Sequence, residues 1–351
     1  MNLDTKLALI SHMPMYFAGL VIENTNRCNA RCGMCYQSAG PQGSDVLGKG
    51  SLSLEELTKC IREAAEIETL GRRFHLAGGE AFMYMEDCLR LFETAREAGF
   101  LDITATTNAF WAKDLGRARV ASQRLREAGL TSLEISWDFW HQPFISPAAV
   151  SNCLEACVES EIETNLRILT TKRHSIGEAL AVLRQSAVES AHRITSGPVF
   201  PNGRAAVEMD RNEFFESRGG LDGACHGVLN LTVNSFGNVF PCCAGIDQTK
   251  HHVFGNIKQK SIVDIASDLN RSPVARTIVF GGIGALLKVV RDAGIDVGDG
   301  FTNICHMCWS IFSRKDCVEA IDAHFVRLNM EALQRALTLL EAQGTAPVQL
   351  E

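Results

Sequence analysis

The sequence has no excess of basic residues and no block of them. Its 351 residues include 34 Lys and Arg against 41 Asp and Glu, so the formal net charge is −7. Proteins that follow a phosphate backbone bind it largely through positive charge. The charge balance therefore argues against a nucleic-acid partner.

Long apolar runs and processing signals are also missing. No stretch approaches the roughly 18 apolar residues that a membrane-spanning helix needs, and IVFGGIGALLKVV, at 278–290, is broken by glycine and followed by charge. The start, MNLDTKLALISHMPMYFAGL, lacks the basic leader and cleavage site of a secretion signal. With 46% hydrophobic residues, we expect a globular cytoplasmic protein with no membrane partner.

Cysteine, in contrast, is abundant. Thirteen cysteines are many for a reducing compartment, where clustered thiols more often bind metal or do chemistry than form disulfides. Cys60 and Cys88 fall in helical patterns, and Cys153 and Cys157 share a helix face, so we interpret these four as small buried hydrophobic residues. The other nine form two groups: Cys28, Cys32 and Cys35, and then Cys225, Cys242, Cys243, Cys305, Cys308 and Cys317.

Strand patterns alternate with helix patterns through the first 200 residues. Six such units follow one another, and this order predicts parallel strands with helical crossovers. We therefore expect an α/β fold, a partial (β/α)6 TIM-like barrel over 1–200. After the turn-rich exit PVFPNGRA, hairpin patterns predict a small α+β cluster domain over 201–320, followed by a helical segment over 321–351.

The unusual polar residues all follow predicted strands, at the edge where barrels carry their chemistry. The three-cysteine loop follows the first strand, and Gly78, Gly79 and Glu80 follow the second. Asn108 ends the third strand, and Ser136 ends the fourth, where the aromatic stretch SWDFWHQPF begins. We predict that these loops form one active site.

Cys28, Cys32 and Cys35 have the spacing CxxxCxxC. Three thiolates can hold three irons of a [4Fe-4S] cube and leave the fourth iron open for a reactant. A zinc site is the alternative, but it needs a fourth ligand, and His12 or His75 could serve only if the fold brought one of them in.

At these residues the sequence resembles the radical S-adenosylmethionine (radical SAM) superfamily, whose cysteine motif it matches in full. The resemblance implies that S-adenosylmethionine binds the open iron and is cleaved by one electron to a 5'-deoxyadenosyl radical, which takes hydrogen from a substrate. The glycine-glycine-glutamate run looks like the family's second motif, which holds the methionine amino group. Ser136 and Arg167 resemble positions that bind ribose hydroxyls or the methionine carboxylate, and we assign Asn108 to the same pocket.

The segment CHGVLNLTVNSFGNVFPCC, at 225–243, is similar to the opening signature of the SPASM and twitch extensions of some radical SAM enzymes. With Cys305 and Cys308 it implies one auxiliary [4Fe-4S] cluster held by Cys225, Cys242, Cys305 and Cys308. The sequence leaves open whether a second auxiliary cluster is present. Cys243 could replace Cys242, since adjacent residues on a strand point to opposite faces.

Four residues are candidates for the chemistry itself. Cys243 and Cys317 could donate a hydrogen atom, as a thiol does in some related epimerases, or could be plain buried thiols. Asp138 and His141 could take a proton as a substrate radical is oxidised, or could organise their loop through hydrogen bonds.

The resemblance specifies the class of reaction more closely than the substrate. We expect a radical SAM oxidoreductase that crosslinks, epimerises or oxidises a ribosomally made peptide, with a one-electron reductant such as flavodoxin or ferredoxin. The first alternative is a dehydrogenase or epimerase of a sugar-derived small molecule. The second alternative is a non-catalytic iron–sulfur protein that carries electrons or acts as a scaffold.

Overall fold

A computed structural model of the chain describes residues 13–217, 225 and 229–344. The outer ends of the predicted first and last segments, and His12, lie outside these residues. The strands within the described residues are, in chain order, β1 Gly19–Glu23, β2 Ala39–Gly40, β3 Gly43–Ser44, β4 Arg73–Ala77, β5 Asp102–Thr107, β6 Ser132–Ser136, β7 Glu163–Thr170, β8 Arg193–Pro198, β9 Asn230–Val233 and β10 Val239–Phe240.

Helices separate the strands and form the C-terminal part. They are α1 Leu54–Ala64, α2 Met85–Glu97, α3 Leu115–Ala128, α4 Pro147–Glu159, α5 Ile176–Leu180, α6 Gln185–Ser190, α7 Ala205–Glu208, α8 Ile262–Arg271, α9 Pro273–Arg276, α10 Ile283–Asp292, α11 Ile304–Phe312 and α12 Lys315–Gly344. Short 3-10 turns span Ala81–Tyr84, Arg211–Glu213 and Ile246–Gln248, and a π-helical turn spans Thr277–Gly281.

Local sequence signals set the helix ends. Ser53 and Glu56 form a reciprocal capping box at the start of α1. Asp114 accepts a hydrogen bond from the backbone of Arg117 at the start of α3, and Gly129 ends that helix at a φ of 116°, in the left-handed region. The helices can therefore stop within a few residues of the strands they connect.

The barrel is one sheet of eight strands in the order β10-β9-β1-β4-β5-β6-β7-β8. All neighbours are parallel except β9 and β10. This confirms the predicted α/β partial barrel with parallel strands and helical crossovers. The carboxyl ends of β1, β4, β5 and β6 lie side by side, as the sequence predicts for the site.

The cluster domain is joined to this sheet. The sequence predicts a cluster domain from residue 201, and in this segment β9 pairs in parallel with β1, with Leu231 opposite Leu20 and Val233 opposite Ile22. All four side chains belong to one apolar core. The hairpin of β9 and β10 therefore extends the barrel at its open edge.

One predicted helix divides into two. The sequence predicts a continuous helix from 175 to 189, whereas the structure has α5 and α6 with Arg184 between them. Arg184 takes extended backbone, because its N–H donates to Ser151 Oγ at 3.2 Å and its guanidinium bonds Asn152 and Glu155 of α4. These contacts with a neighbouring helix outweigh the local helical preference.

A second apolar core stabilises the C-terminal part. Phe240, Leu286, Met307 and Phe312 are buried in it with the first turns of α12. No single helix within the described ranges is long and apolar enough to cross a membrane; the bent pair Pro273–Gly281 and Ile283–Asp292 passes that test together, by length and composition alone. Many side chains of this pair lie in the second core.

Leu231→Ala tests whether the hairpin and barrel share one core. We expect the free energy of unfolding to fall by about 2–5 kcal/mol, since the substitution leaves a cavity beside β1. Denaturant unfolding followed by circular dichroism measures this change. Leu101→Ala, at a side chain 78% exposed, is the control and should change stability by less than about 0.5 kcal/mol. Equal effects would contradict a shared core.

Candidate functional site

The loop after β1 brings its three cysteines together. Cys28 and Cys32 are buried, Cys35 is half-buried, and the three pack in a small core with Met34 and Val199. Burial raises the pKa of Cys28, and the nearby Glu80, Cys35 and Cys32 raise it further. Cys28 N–H donates to Gly40 O and ties the start of the loop to β2. Cys35 N–H donates to Cys32 O and forms a turn within the loop.

The glycine-glycine-glutamate run lies directly against this loop. Gly79 N–H donates to Thr25 O at 2.7 Å, and Glu80 N–H donates to Arg27 O at 2.8 Å. A Cβ on Gly79 would come within 2.2 Å of Arg27 O, so only glycine allows this approach. Asn24 Oδ1, beside Gly78, is buried and has no hydrogen-bond partner within the described part of the chain.

Glu80 points its buried carboxylate toward the end of β5. It accepts hydrogen bonds from Thr107 Oγ1 at 2.8 Å and from the N–H of Asn108 at 2.7 Å. Burial raises its pKa to about 7, although these donors and His141 act in the opposite direction. Both protonation states are therefore populated near neutral pH, and a cation placed beside Glu80 would favour the carboxylate.

Asn108, Ser136 and Arg167 line the next strands. Asn108 Nδ2 donates to Asn29 Oδ1 at 3.0 Å and lies 3.8 Å from Cys28 Sγ. Ser136 and Arg167 are register partners on β6 and β7, so they occupy the same face of the sheet. Arg167 extends across β8, where a Cβ on Gly197 would lie 2.9 Å from its guanidinium.

Asp138 and His141 form a buried pair beside the three-cysteine loop. His141 Nδ1 lies 2.9 Å from Asp138 Oδ1, and the same carboxylate accepts the N–H of Trp140. Burial alone would lower the pKa of His141, but Asp138 and Cys32 raise it well above its usual value. The pair therefore fixes the start of the aromatic loop next to Cys32.

His75, one of the two side chains that could supply the fourth ligand of a zinc site, is already engaged. Its ring nitrogens contact Thr104 Oγ1 at 2.7 Å and Thr106 Oγ1 at 3.1 Å, and burial lowers its pKa to about 4. His12, the other, lies outside the described residues. Among those residues no group of three or more His, Cys, Asp or Glu has the geometry of a metal-ion site.

The four predicted auxiliary ligands lie beside the second core and on α11. Cys225, Cys242 and Cys308 pack at the edge of the second core. Burial raises the pKa of Cys308, and Cys305 and Cys225 raise it further. Cys305 and Cys308 lie one turn apart on α11, which begins at the capping side chain of Asn303.

Cys242 and Cys243 have different surroundings. Burial raises the pKa of Cys242, as do Cys243, Cys305 and Cys308. For Cys243, burial raises the pKa to about 12 with the help of Asp247 and Glu23. Its Sγ lies 3.7 Å from Asn230 Nδ2.

Cys317 and the four helical cysteines are in apolar surroundings. Cys317, on α12, is fully buried in the second core, and the charged groups that act on it are Arg314 and Asp316. Cys60, Cys88, Cys153 and Cys157 are at most 2% exposed and belong to the barrel core, which confirms that they are small buried hydrophobic residues.

Sequence reasoning missed a buried polar group between the two cysteine sets. Glu23 ends β1 and accepts hydrogen bonds from Gln37 Nε2 at 2.6 Å and Gln248 Nε2 at 2.7 Å. Burial raises the pKa of Glu23 well above its usual value, and so does the adjacent Asp247 carboxylate. A carboxyl group buried beside another acid holds its proton more strongly, because burial and a neighbouring negative charge both disfavour its ionised form.

Comparison with known proteins decides the family. Residues 22–185 match the radical SAM superfamily, and residues 225–309 match the SPASM iron–sulfur cluster-binding domain. The chain belongs to the radical SAM superfamily. Its cofactors are accordingly a [4Fe-4S] cluster, S-adenosylmethionine and the auxiliary iron–sulfur centre of a SPASM domain.

Individual relatives are distant. The chain is similar to the putative peptide biosynthesis protein YydG of Bacillus subtilis (strain 168), with 22% identity over 85% of this chain and 93% of that protein. It is 27% identical to the GTP 3',8-cyclase of Rhodopirellula baltica over 68% of this chain and 64% of that enzyme. The structure of native anSMEcpe with bound AdoMet shares the fold, with a TM-score of 0.55 and 17% identity over 90% of this chain and 99% of that one.

The residues at the barrel mouth fit these cofactors. Three gathered thiols suit a cluster with an open iron. Two acceptors lie near this loop, the Glu80 carboxylate and the unpartnered Asn24 Oδ1 beside Gly78, and acceptors of this kind suit an ammonium group. The close backbone approach at Gly79 holds Glu80 beside the cysteine loop.

Iron content tests the two cysteine sets. We expect about eight irons in the anaerobically reconstituted parent and about four in the Cys28→Ala, Cys32→Ala, Cys35→Ala variant, since each cube holds four. The control is Cys60→Ala, which should keep about eight. A folded triple variant without iron would contradict a separate auxiliary set, and about eight irons remaining would require a second auxiliary cluster.

Proposed function

We propose that this radical SAM enzyme epimerises a residue of a ribosomally made peptide and that Cys243 supplies the returning hydrogen atom. The observation that carries the proposal is the contrast between Cys242, which lies with Cys305 and Cys308, and Cys243, which lies beside Glu23, Asp247 and Asn230. One cysteine is thus available to a cluster and its neighbour is free to do chemistry.

Cofactor binding is assigned to the residues gathered at the barrel mouth. Cys28, Cys32 and Cys35 hold the first cluster, and Glu80 holds the amino group of S-adenosylmethionine. When bound, these groups supply a 5'-deoxyadenosyl radical. Ser136 and Arg167, which face the same side of β6 and β7, contribute a hydroxyl and a cation to the cosubstrate's ribose and carboxylate.

The auxiliary cluster is assigned to the second group of cysteines. Its ligands are Cys225, Cys242, Cys305 and Cys308. A closed set of four thiolates has no open iron, so this cluster exchanges electrons or supports the substrate pocket. Asp138 and His141 keep the aromatic loop in place beside the first cluster.

A hydrogen donor has to be a thiol and not a thiolate. Burial next to Glu23 and Asp247 raises the pKa of Cys243 to about 12, so its sulfur carries hydrogen at neutral pH. Homolysis of the S–H bond transfers one hydrogen atom to the substrate carbon and leaves a thiyl radical. One electron from the external reductant and one proton from solvent restore the thiol.

A peptide substrate is supported by the relative from Bacillus subtilis, which is described as a putative peptide biosynthesis protein and is aligned over 93% of its length. The external reductant is a one-electron carrier such as flavodoxin or ferredoxin.

Binding of S-adenosylmethionine should depend on the ionisation of Glu80. The free carboxyl has a pKa of about 7, so below that pH a proton has to leave before an ammonium group can bind. We expect the dissociation constant, measured by equilibrium dialysis on cluster-loaded protein, to rise about tenfold per pH unit below 7 and to level off above it.

The Glu80→Gln variant should bind S-adenosylmethionine more weakly at every pH. Its dissociation constant should no longer rise as the pH falls below 7. The matched control is Glu86→Gln, because Glu86 is exposed and pairs with Arg124 on the barrel surface. If the dissociation constant of Glu80→Gln rose below pH 7 as it does in the parent, Glu80 would not be part of the cosubstrate site.

Cys243→Ala tests the hydrogen donor. Enzyme, reductant and S-adenosylmethionine are incubated in D₂O with short peptides encoded beside the gene, and products are read by mass spectrometry and chiral amino-acid analysis. The parent should form 5'-deoxyadenosine and a D-residue that carries one deuterium. Cys243→Ala should still form 5'-deoxyadenosine but no D-residue, while Cys317→Ala should behave as the parent does.

The other outcomes separate the alternatives. Epimerisation by Cys243→Ala, or loss of auxiliary iron in it, would exclude Cys243 as the donor. Parent protein that forms 5'-deoxyadenosine but leaves every peptide unchanged would favour a small-molecule substrate. If the parent protein formed no 5'-deoxyadenosine, the result would favour an electron carrier or a scaffold.

A further inference from the structure

Arg204 is a buried cation behind the three-cysteine loop. It follows β8 in the exit segment, immediately before α7, and its side chain is 1% exposed. Arginine is seldom buried this deeply unless every donor is used. Its partners therefore show what the residue does.

Those partners are backbone atoms of the cysteine loop. Arg204 Nη1 donates to Cys32 O at 2.8 Å, and Nη2 donates to Ala39 O at 2.7 Å. The backbone N–H of Arg204 donates to Cys35 O at 3.0 Å. One residue from the far end of the barrel thus holds the carbonyls of two of the three loop cysteines.

The third side of the guanidinium faces a carboxylate. Arg204 Nε donates to Asp45 Oδ2 at 2.9 Å, and Asp45 also pairs with the exposed Arg31, 2.9 Å away. Arg31 in turn pairs with Glu208 at 2.7 Å. Two cations and two anions therefore balance here, with Arg204 the innermost.

We propose that Arg204 is a positioning residue for the first [4Fe-4S] cluster, fixing the segment that carries Cys32 and Cys35 and offsetting the negative charge of the cluster. This rests on membership of the radical SAM superfamily and not on the proposed peptide substrate. A planar guanidinium reaches two carbonyls at once, and a lysine ammonium cannot reproduce that geometry. Nearby charge and fixed ligand geometry both influence the reduction potential of an iron–sulfur cluster.

Arg204→Gln removes both effects, and Arg204→Lys keeps the charge alone. The first cluster is followed by the part of its electron paramagnetic resonance signal that changes when S-adenosylmethionine is added. We expect Arg204→Gln to lose first-cluster iron, with a more negative midpoint potential in what remains. Arg204→Lys should recover the potential but only part of the iron.

Two further variants keep the test decisive if Arg204→Gln folds poorly. Asp45→Asn leaves Arg204 in place without its counter-charge, so the midpoint potential should move to a more positive value with iron retained. Arg119→Gln removes an exposed charge that pairs with Glu159 on the outer helices, away from the cysteine loop, so its iron and signal should match the parent.

The opposite signs for Arg204→Gln and Asp45→Asn distinguish charge compensation from general damage. Parent-like iron, signal and potential in both Arg204 variants would overturn the proposal. A shift of the same sign in Asp45→Asn and Arg204→Gln would also overturn it, since loss of order alone would then explain both.

Discussion

The parallel pairing of β1 with β4 on one side and β9 on the other is the constraint on which the rest of the site depends. The first pairing brings Gly79 and Glu80 alongside the residues that lead into the cysteine loop. The second brings the hairpin that carries Cys242 to the same strand. A single five-residue strand thus sets the positions of both cysteine groups, so a register error in β1 would disrupt the two together.

The two groups are also linked by a buried polar bridge. Tyr36, next to Cys35, donates to Glu23, and Glu23 accepts from Gln248, which also bonds Asp247. Such a network is favourable only when its members are satisfied. Each carboxylate in it receives at least one donor, and burial together with Asp247 raises the pKa of Glu23. The segment after the hairpin therefore packs against the barrel through defined hydrogen bonds as well as through apolar contacts.

Sequence patterns predicted the barrel and the strand ends, because periodicity and spacing are local properties. They did not predict that β9 would pair with β1, since a short strand such as Asn230–Val233 carries no signal for its partner. They also gave no sign of Arg204 or Asp247, whose importance arises from contacts far along the chain. Arg204 and Cys32 are separated by 172 residues, and only the closed fold shows that one holds the other.

The arrangement of charge suits chemistry that moves hydrogen atoms. Around the proposed donor Cys243, burial and neighbouring acids raise the pKa values of the thiol and of Glu23, which favours the protonated form of each. Full charges such as Arg204 and Asp45 lie behind the loop instead, where they compensate one another. A thiol that keeps its proton can give a hydrogen atom to a carbon radical, so the surroundings of Cys243 suit the proposed transfer.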